Sequence, residues 1–280
     1  MPLILKNSKS FSFDGNNVTL NAKYIQEQKK YFKKITGTRF GAILNMNKYC
    51  SPFKCWLQMV NLFKEEIDEK LSKSGQIIEP LIIKYVEEKL NTKYISHDPI
   101  AINFDIFSNN KIFGGIPDGE PINEQNKIDY SNGKLMLEIK TSSIDSFVYR
   151  KNNGKLEMVL EDELPKIKER YAKRMTWFAE DKIVPPTEYV LQLGLYLYLR
   201  DLSEGAIVVS FLNGIDYIKP QEFVANDHEI HVVKISMDKE KFSKYINFAT
   251  EWYNKHILTG ISPPLTKDDA KWFKQELDNI

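Results

Sequence analysis

The spacing of apolar positions changes character along the chain. Up to residue 90 they recur every three to four residues, which predicts helices over 19–34, 38–46, from Ser51-Pro52 to residue 70, and over 74–90. Thr36 or Thr38 serves as an N-cap, and Pro52 lies in a first turn, where its missing N–H costs nothing. Beyond that point the pattern turns β-like and rich in Ile and Phe over 93–107 and 111–117. YSNGK at 130–134 is a turn signal, and LMLEIK at 135–140 reads as the strand that follows it. Residues 155–160 predict a further strand, 161–181 a heavily charged helix closed before Pro185-Pro186, and Tyr189–Arg200 a strongly apolar helix. Strands over 205–212 and 229–236 and helices over 238–258 and 266–279 complete the pattern. Helices, then a β-meander, then helix and strand predict an α/β fold: a central mixed β-sheet flanked by helices, with an N-terminal helical part. With no internal repeat or low-complexity linker, the expectation is one domain over 1–280. It comprises a basic helical part (1–70), a core (71–236) and C-terminal helices (237–280).

At 42% hydrophobic and 28% charged residues, the composition is that of a globular chain with a sizeable core, which excludes disordered and collagen-like architectures. No apolar run approaches the roughly 18 residues of a membrane span. The N-terminal MPLILKNSKSF has too short an apolar stretch for a secretory signal and no small-residue cleavage site. Two cysteines, Cys50 and Cys55, exclude a disulfide framework and a four-thiolate metal or iron–sulfur site. The expectation is a soluble cytoplasmic protein without a membrane partner. The net charge of +1 argues against a generic polyanion binder, but its distribution is uneven. Residues 1–54 carry ten Lys or Arg against Asp14 and Glu27, so this segment is strongly positive and the remainder negative. That asymmetry points to one surface for an anion and an acidic site elsewhere.

The acidic site is expected around Pro117-Asp118-Gly119 and, twenty residues on, Glu138-Ile139-Lys140. Side chains alternate along a strand, so Glu138 and Lys140 project to one face while Ile139 points into the core. Asp118, on the preceding hairpin strand, can reach the same point. Two carboxylates and the Ile139 carbonyl make an all-oxygen site suited to Mg²⁺ or Mn²⁺. A Glu-x-Lys triplet alone is more often a charge pair on a surface strand, but three features raise its weight. Glu79 shares its helix stripe with Ile82, Ile83 and Val86, where a carboxylate is costly unless paired or bound to metal; the adjacent Pro80 weakens that helix locally. Gln192 and Tyr196 stack at i and i+4 on an otherwise apolar helix, with Gly194 allowing close approach; buried amides and phenols need partners. The third feature is basic. Lys29, Lys30, Lys33, Lys34, Thr36, Thr38 and Arg39 gather where a helix begins, a ready phosphate site, with Tyr31, Phe32 and Phe40 interleaved.

Together these residues resemble the PD-(D/E)XK nuclease superfamily with its restriction-endonuclease-like core. The closer likeness is to its lambda-type phage exonuclease branch, the YqaJ-like recombinase nucleases. The resemblance covers roughly 29–200 and rests on five motifs in order: TGTRFGAILNMNKYCSPFKCW, the GxxxE segment Gly75–Glu79, GGIPDG, LEIKTS and the QxxxY of Gln192–Tyr196. It implies a Mg²⁺-dependent phosphodiesterase acting on DNA. Glu79, Asp118 and Glu138 carry over as metal-site acids, the Ile139 carbonyl as a ligand, Lys140 as the catalytic lysine, and Gln192 with Tyr196 as the helix motif beside the site. The implied products of in-line attack are a 5′-phosphate and a 3′-hydroxyl. Lys30, Lys33, Lys34, Thr38 and Arg39 are the candidate DNA contacts. Arg39 stands where the branch usually has an acid, and its upstream phosphate-gripping arginine has no clear counterpart here.

The expected activity is a metal-dependent DNA exonuclease on duplex ends, in recombination or repair. The alternatives are an endonuclease of the same superfamily and a non-catalytic DNA-binding module. By family analogy alone, a single-strand annealing protein and a homo-oligomer are expected partners. A helicase–nuclease fusion is excluded, because the chain contains no GxxxxGK[ST] phosphate loop. His97, His228, His231 and His256 fit no catalytic pattern and are assigned surface or structural roles.

Overall fold

The computed structural model describes residues 10–64, 68–152 and 155–278. The chain divides into two compact units, one formed by 1–65, 107–115 and 238–280, the other by 66–106 and 116–237. In the first unit a hairpin of Phe11–Phe13 and Val18–Leu20 precedes the helices Ala22–Gln28, Gly37–Ile43 and Pro52–Met59; the C-terminal helices Lys239–Trp252 and Lys267–Asp278 belong to it as well. Ser51 caps the third helix through its hydroxyl, which takes the Lys54 N–H, as the Ser-Pro signal predicts. That helix stops at Met59 rather than running to 70, because Asn61 adopts a left-handed φ of 59° just past its end. Phe40, Phe53, Trp56 and Phe273 fill this unit's core, and the Trp56 indole donates to the His256 carbonyl at 2.9 Å.

The second unit carries the sheet. Its long helix α1 spans Glu69–Leu90 and runs through Pro80 without a break. Short strands β1 (Lys93–Ile95) and β2 (Glu120–Ile122) pair antiparallel, so most of 96–119 is loop, where a β-like pattern had been expected. The central sheet is β3 (Met136–Ser143), β4 (Glu204–Leu212) and β5 (Ile230–Ser236), in the order β5-β4-β3. β3 and β4 run parallel and β4 and β5 antiparallel, which makes the sheet mixed as expected. A bridge between Gly119 and Leu137 ties the chain just before β2 to β3.

Helix α2 (Thr187–Leu199) is the crossover that parallel pairing of β3 and β4 demands. The two faces of the sheet differ. Leu137, Ile139, Ala206 and Val208 pack with Ile78, Ile82 and Val86 of α1. Gly205, of opposite parity, faces α2, where a methyl group on it would come within 3.1 Å of Leu193 and Leu197.

The segment 161–181 departs most from the sequence pattern. In place of a helix it holds Leu160–Glu161 paired with Leu164–Pro165, a strand Ile167–Glu169, a four-residue helix Ala172–Met175, and Phe178–Ala179 paired with Lys182–Ile183. The two tight hairpins turn on Asp162-Glu163 and Glu180-Asp181, all four at positive φ. That is the primed-turn geometry that matches strand twist, here built without the usual Asn-Gly.

Candidate active site

Every acid, amide and lysine expected at the site lies in the second unit. Glu138 and Lys140, two apart on β3, project to the α2 face, opposite Ile139. Glu138 is completely buried. Its Oε1 accepts from the Lys140 ammonium and, at 2.5 Å, from the Gln192 amide of α2. Its Oε2 has no hydrogen-bond partner, one of two such buried side-chain atoms among the described residues, the other being Ser210 Oγ. Asp118 is positioned from the other side: its Oδ2 takes the Ile139 N–H at 2.7 Å, and its carbonyl accepts from the Ser96 hydroxyl at 3.0 Å. Gln192 therefore has the partner its apolar helix called for, and Tyr196 is buried one turn further along α2.

Glu79 stands on α1 beside Gly75, where a methyl group would come to 3.6 Å from its Oε1. Burial, then the neighbouring Asp118 charge, pushes its carboxyl up to about 7, against the pull of Lys140. Glu138 is raised well above its ordinary value by burial and by Asp118. For Lys140, burial works against the charge, but the Glu138 and Asp118 carboxylates outweigh it and hold the amine protonated. Its ammonium also lies 5.1 Å from the centre of the Tyr189 ring, which stacks on Trp177 at 5.3 Å. The Trp177 indole in turn donates to the Ser142 hydroxyl, two residues beyond Lys140 on β3.

A second buried acid lies close by in sequence. Glu120 is fully enclosed and accepts four side-chain donors. Arg200, at the end of α2, forks onto both oxygens at 2.7 and 2.9 Å. Tyr130 donates to Oε1 at 2.6 Å, and His97 Nε2 meets Oε2 at 2.7 Å, a nitrogen that must donate because an ionised carboxylate only accepts. Burial opposes ionisation here, but the Arg200, Tyr130 and His97 bonds overcome it and hold the acid below its ordinary range. Sequence reading passed over this group, since its members come from four separated segments. The one local sign is spacing: Glu120 follows Asp118 by two residues, which in an extended strand would put both on one face.

The candidate DNA contacts lie in the first unit. Lys30 and Lys33 are exposed, and Lys33 is lowered by local desolvation and then by the charges of Arg39 and Lys64. The Lys34 ammonium is 3.3 Å from the Phe107 carbonyl. Arg39 donates to the Lys34 carbonyl at 2.9 Å, so its guanidinium braces the loop before its own helix. Thr38 is exposed in the first turn of a helix only seven residues long, whose N-cap Thr36 makes no side-chain cap bond. The remaining histidines make local contacts: His228 meets Asp216 at 2.9 Å, His231 meets Glu229 at 2.8 Å, and His256 donates to the Ile261 carbonyl.

Among the described residues, no three His, Cys, Asp or Glu side chains converge closely enough to be ready-made metal ligands. The donor chemistry nevertheless suits a hard divalent cation: a buried Glu138 oxygen that accepts from no donor, and an Asp118 whose charge is felt by both Glu138 and Glu79.

A strand bearing Glu-x-Lys, an aspartate held against its backbone and a Gln-x₃-Tyr helix thus come together in the second unit. The family model of the YqaJ-like viral recombinase domain matches residues 23–202, and the chain belongs to that family. Two relatives match it over nearly their whole lengths. The uncharacterized protein MG373 of Mycoplasma genitalium is 43% identical over 98% of this chain and 99% of its own. Its Mycoplasma pneumoniae homolog is 41% identical over 95% of each. Among solved structures, an alkaline exonuclease from Laribacter hongkongensis aligns over 92% of this chain and 99% of its own with a TM-score of 0.47 and 11% identity. A phage-related exonuclease from Haemophilus somnus aligns over 89% and 99%, with a TM-score of 0.47 and 12% identity.

Proposed function

We propose that this protein is a divalent-metal-dependent DNA exonuclease that degrades duplex ends during recombination or repair in the cytoplasm. The observation that carries the reading is Glu138. It is a buried carboxylate with one oxygen held by Lys140 and Gln192 and the other unpartnered, beside an aspartate fixed by the next residue's N–H. Burial and Asp118 push this half-satisfied acid toward protonation, so holding it charged is costly, and a site built to receive a cation would account for it. Glu138, Asp118 and Glu79 would hold Mg²⁺ or Mn²⁺. When bound, the cation supplies Lewis-acid polarisation of a phosphoryl oxygen and a more acidic water. Lys140, kept protonated by its carboxylate neighbours, serves as a cationic donor that orients the attacking water and offsets charge building on the phosphate. Gln192 fixes the Glu138 carboxylate, and the lysines at 30, 33 and 34 with Thr38 and Arg39 grip the DNA backbone. A single-strand annealing protein and further copies of the chain are the partners this role implies.

The test compares a linear duplex with a closed circle of the same sequence, in Mg²⁺ and in EDTA, for wild type and Lys140→Ala. Loss of the linear form alone, only with metal and only in wild type, is the expected result. Cutting of the circle would make the protein an endonuclease. Normal turnover by Lys140→Ala would sink the assignment of that lysine. Salt-sensitive DNA binding without any product would leave a binding module in place of an enzyme.

A further inference from the structure

The acid that follows Asp118 by two residues has no part in the chemistry above, yet it is fully buried and accepts four hydrogen bonds from three side chains. Glu120 joins β2 to the end of α2 through the Arg200 fork, to the turn before β3 through Tyr130, and to the end of β1 through His97. Each of these elements bears on the site. The residue before His97 donates to the Asp118 carbonyl, β3 carries Glu138 and Lys140, and α2 carries Gln192. A fully buried acid is an expensive way to hold three elements together when apolar packing would serve. Its two-pronged, planar contact with arginine supplies something packing does not, a fixed distance and orientation.

We propose that Glu120 and Arg200 are positioning residues of the metal site, a clamp that fixes the spacing of Asp118 from the Glu138–Gln192 pair. This inference rests on the metal-nuclease reading, because a clamp on that spacing matters only if the acids share a cation. Groups that orient metal ligands without touching the metal commonly set affinity by about 10- to 100-fold.

The test uses the full chain as wild type, Glu120→Gln, Arg200→Gln and the double variant Glu120→Gln/Arg200→Gln. Mn²⁺ affinity is read from the electron paramagnetic resonance of free Mn²⁺, and melting is followed in EDTA. Each single variant is expected to melt earlier and to bind Mn²⁺ about tenfold more weakly. Arg200→Gln strands the fully buried Glu120, and Glu120→Gln removes the charge that Arg200, Tyr130 and His97 share. The double variant removes the ion pair from both sides, so it is expected to recover melting temperature relative to the single variants but not Mn²⁺ affinity. Recovery of both would make the group a purely structural one and overturn the proposal, as would a single variant that melts early yet binds Mn²⁺ like wild type. If Glu120→Gln does not fold, Arg200→Lys takes its place: it keeps the charge and loses the fork, and unchanged Mn²⁺ affinity there is equally fatal. Wild type that neither binds Mn²⁺ nor cuts DNA would overturn the metal-nuclease reading and this clamp together. An active wild type with unaffected variants overturns the clamp alone.

Discussion

Glu120 and Glu138 are both completely buried, and both lie on or beside the strands that build the site, but their surroundings are opposite. Glu120 has donors on both oxygens and is held ionised. Glu138 has donors on one oxygen only and is pushed toward protonation. The difference separates two uses of a buried charge. On the reading proposed above, the fully satisfied acid fixes geometry and the half-satisfied one receives a cation.

The largest effect that would sharpen this contrast comes from Glu138→Gln. It is expected to lower cleavage by about a thousandfold or more, the several kcal/mol that a lost metal contact removes, and to abolish the rise in melting temperature that Mn²⁺ is expected to give wild type. Retained cleavage with a retained Mn²⁺ shift would break the comparison. Glu120→Leu should also cost about 3 kcal/mol of stability, because it removes the acid onto which Arg200, Tyr130 and His97 converge. For a domain of this size that is a fall of about 6–12 °C in melting temperature, seen by calorimetry.

The two classes of acid also respond to pH with opposite sign. Glu79 has a folded pKa of about 7, above its ordinary 4.5, so its contribution is fully present below pH 4.5 and is lost as pH rises through 7. In EDTA, denaturant titrations should find wild type about 2 kcal/mol less stable at pH 8 than at pH 5 on this account, with the difference missing in Glu79→Gln. Glu120, held below its ordinary value, contributes stability above pH 4.5 and loses it as pH falls lower still. The smallest effect is that of Gly205→Ala. Its methyl would press on Leu193 and Leu197 at 3.1 Å, costing about 1 kcal/mol and nudging α2, with a modest loss of cleavage through Gln192.

The motif-bearing elements were legible because each has a strong period and a clear end. LMLEIK, the helix now seen as Thr187–Leu199 and the strands Glu204–Leu212 and Ile230–Ser236 fall where the pattern puts them. The segment 161–181 was not legible, because Lys and Glu are good helix formers and its turns use Asp-Glu and Glu-Asp where Asn-Gly is the recognisable signal. At the site, the Glu138–Lys140 parity and the buried setting of Gln192 could be read from spacing alone. The partners of Glu120 could not. Arg200, Tyr130 and His97 meet it only through tertiary structure, and no period links them.

The pairing of β3 with β4 sets Glu138 opposite Ile207 and Lys140 opposite Val209. Parallel strands so far apart in sequence find their alignment only after the intervening helix has crossed the sheet, a slow kind of contact to form. A slip of one position would turn both charges toward Ile78, Ile82 and Val86, where neither finds a partner. Misaligned chains are thus penalised by the same two side chains that the correct alignment brings to the candidate site, so Glu138 and Lys140 double as proofreaders of the fold.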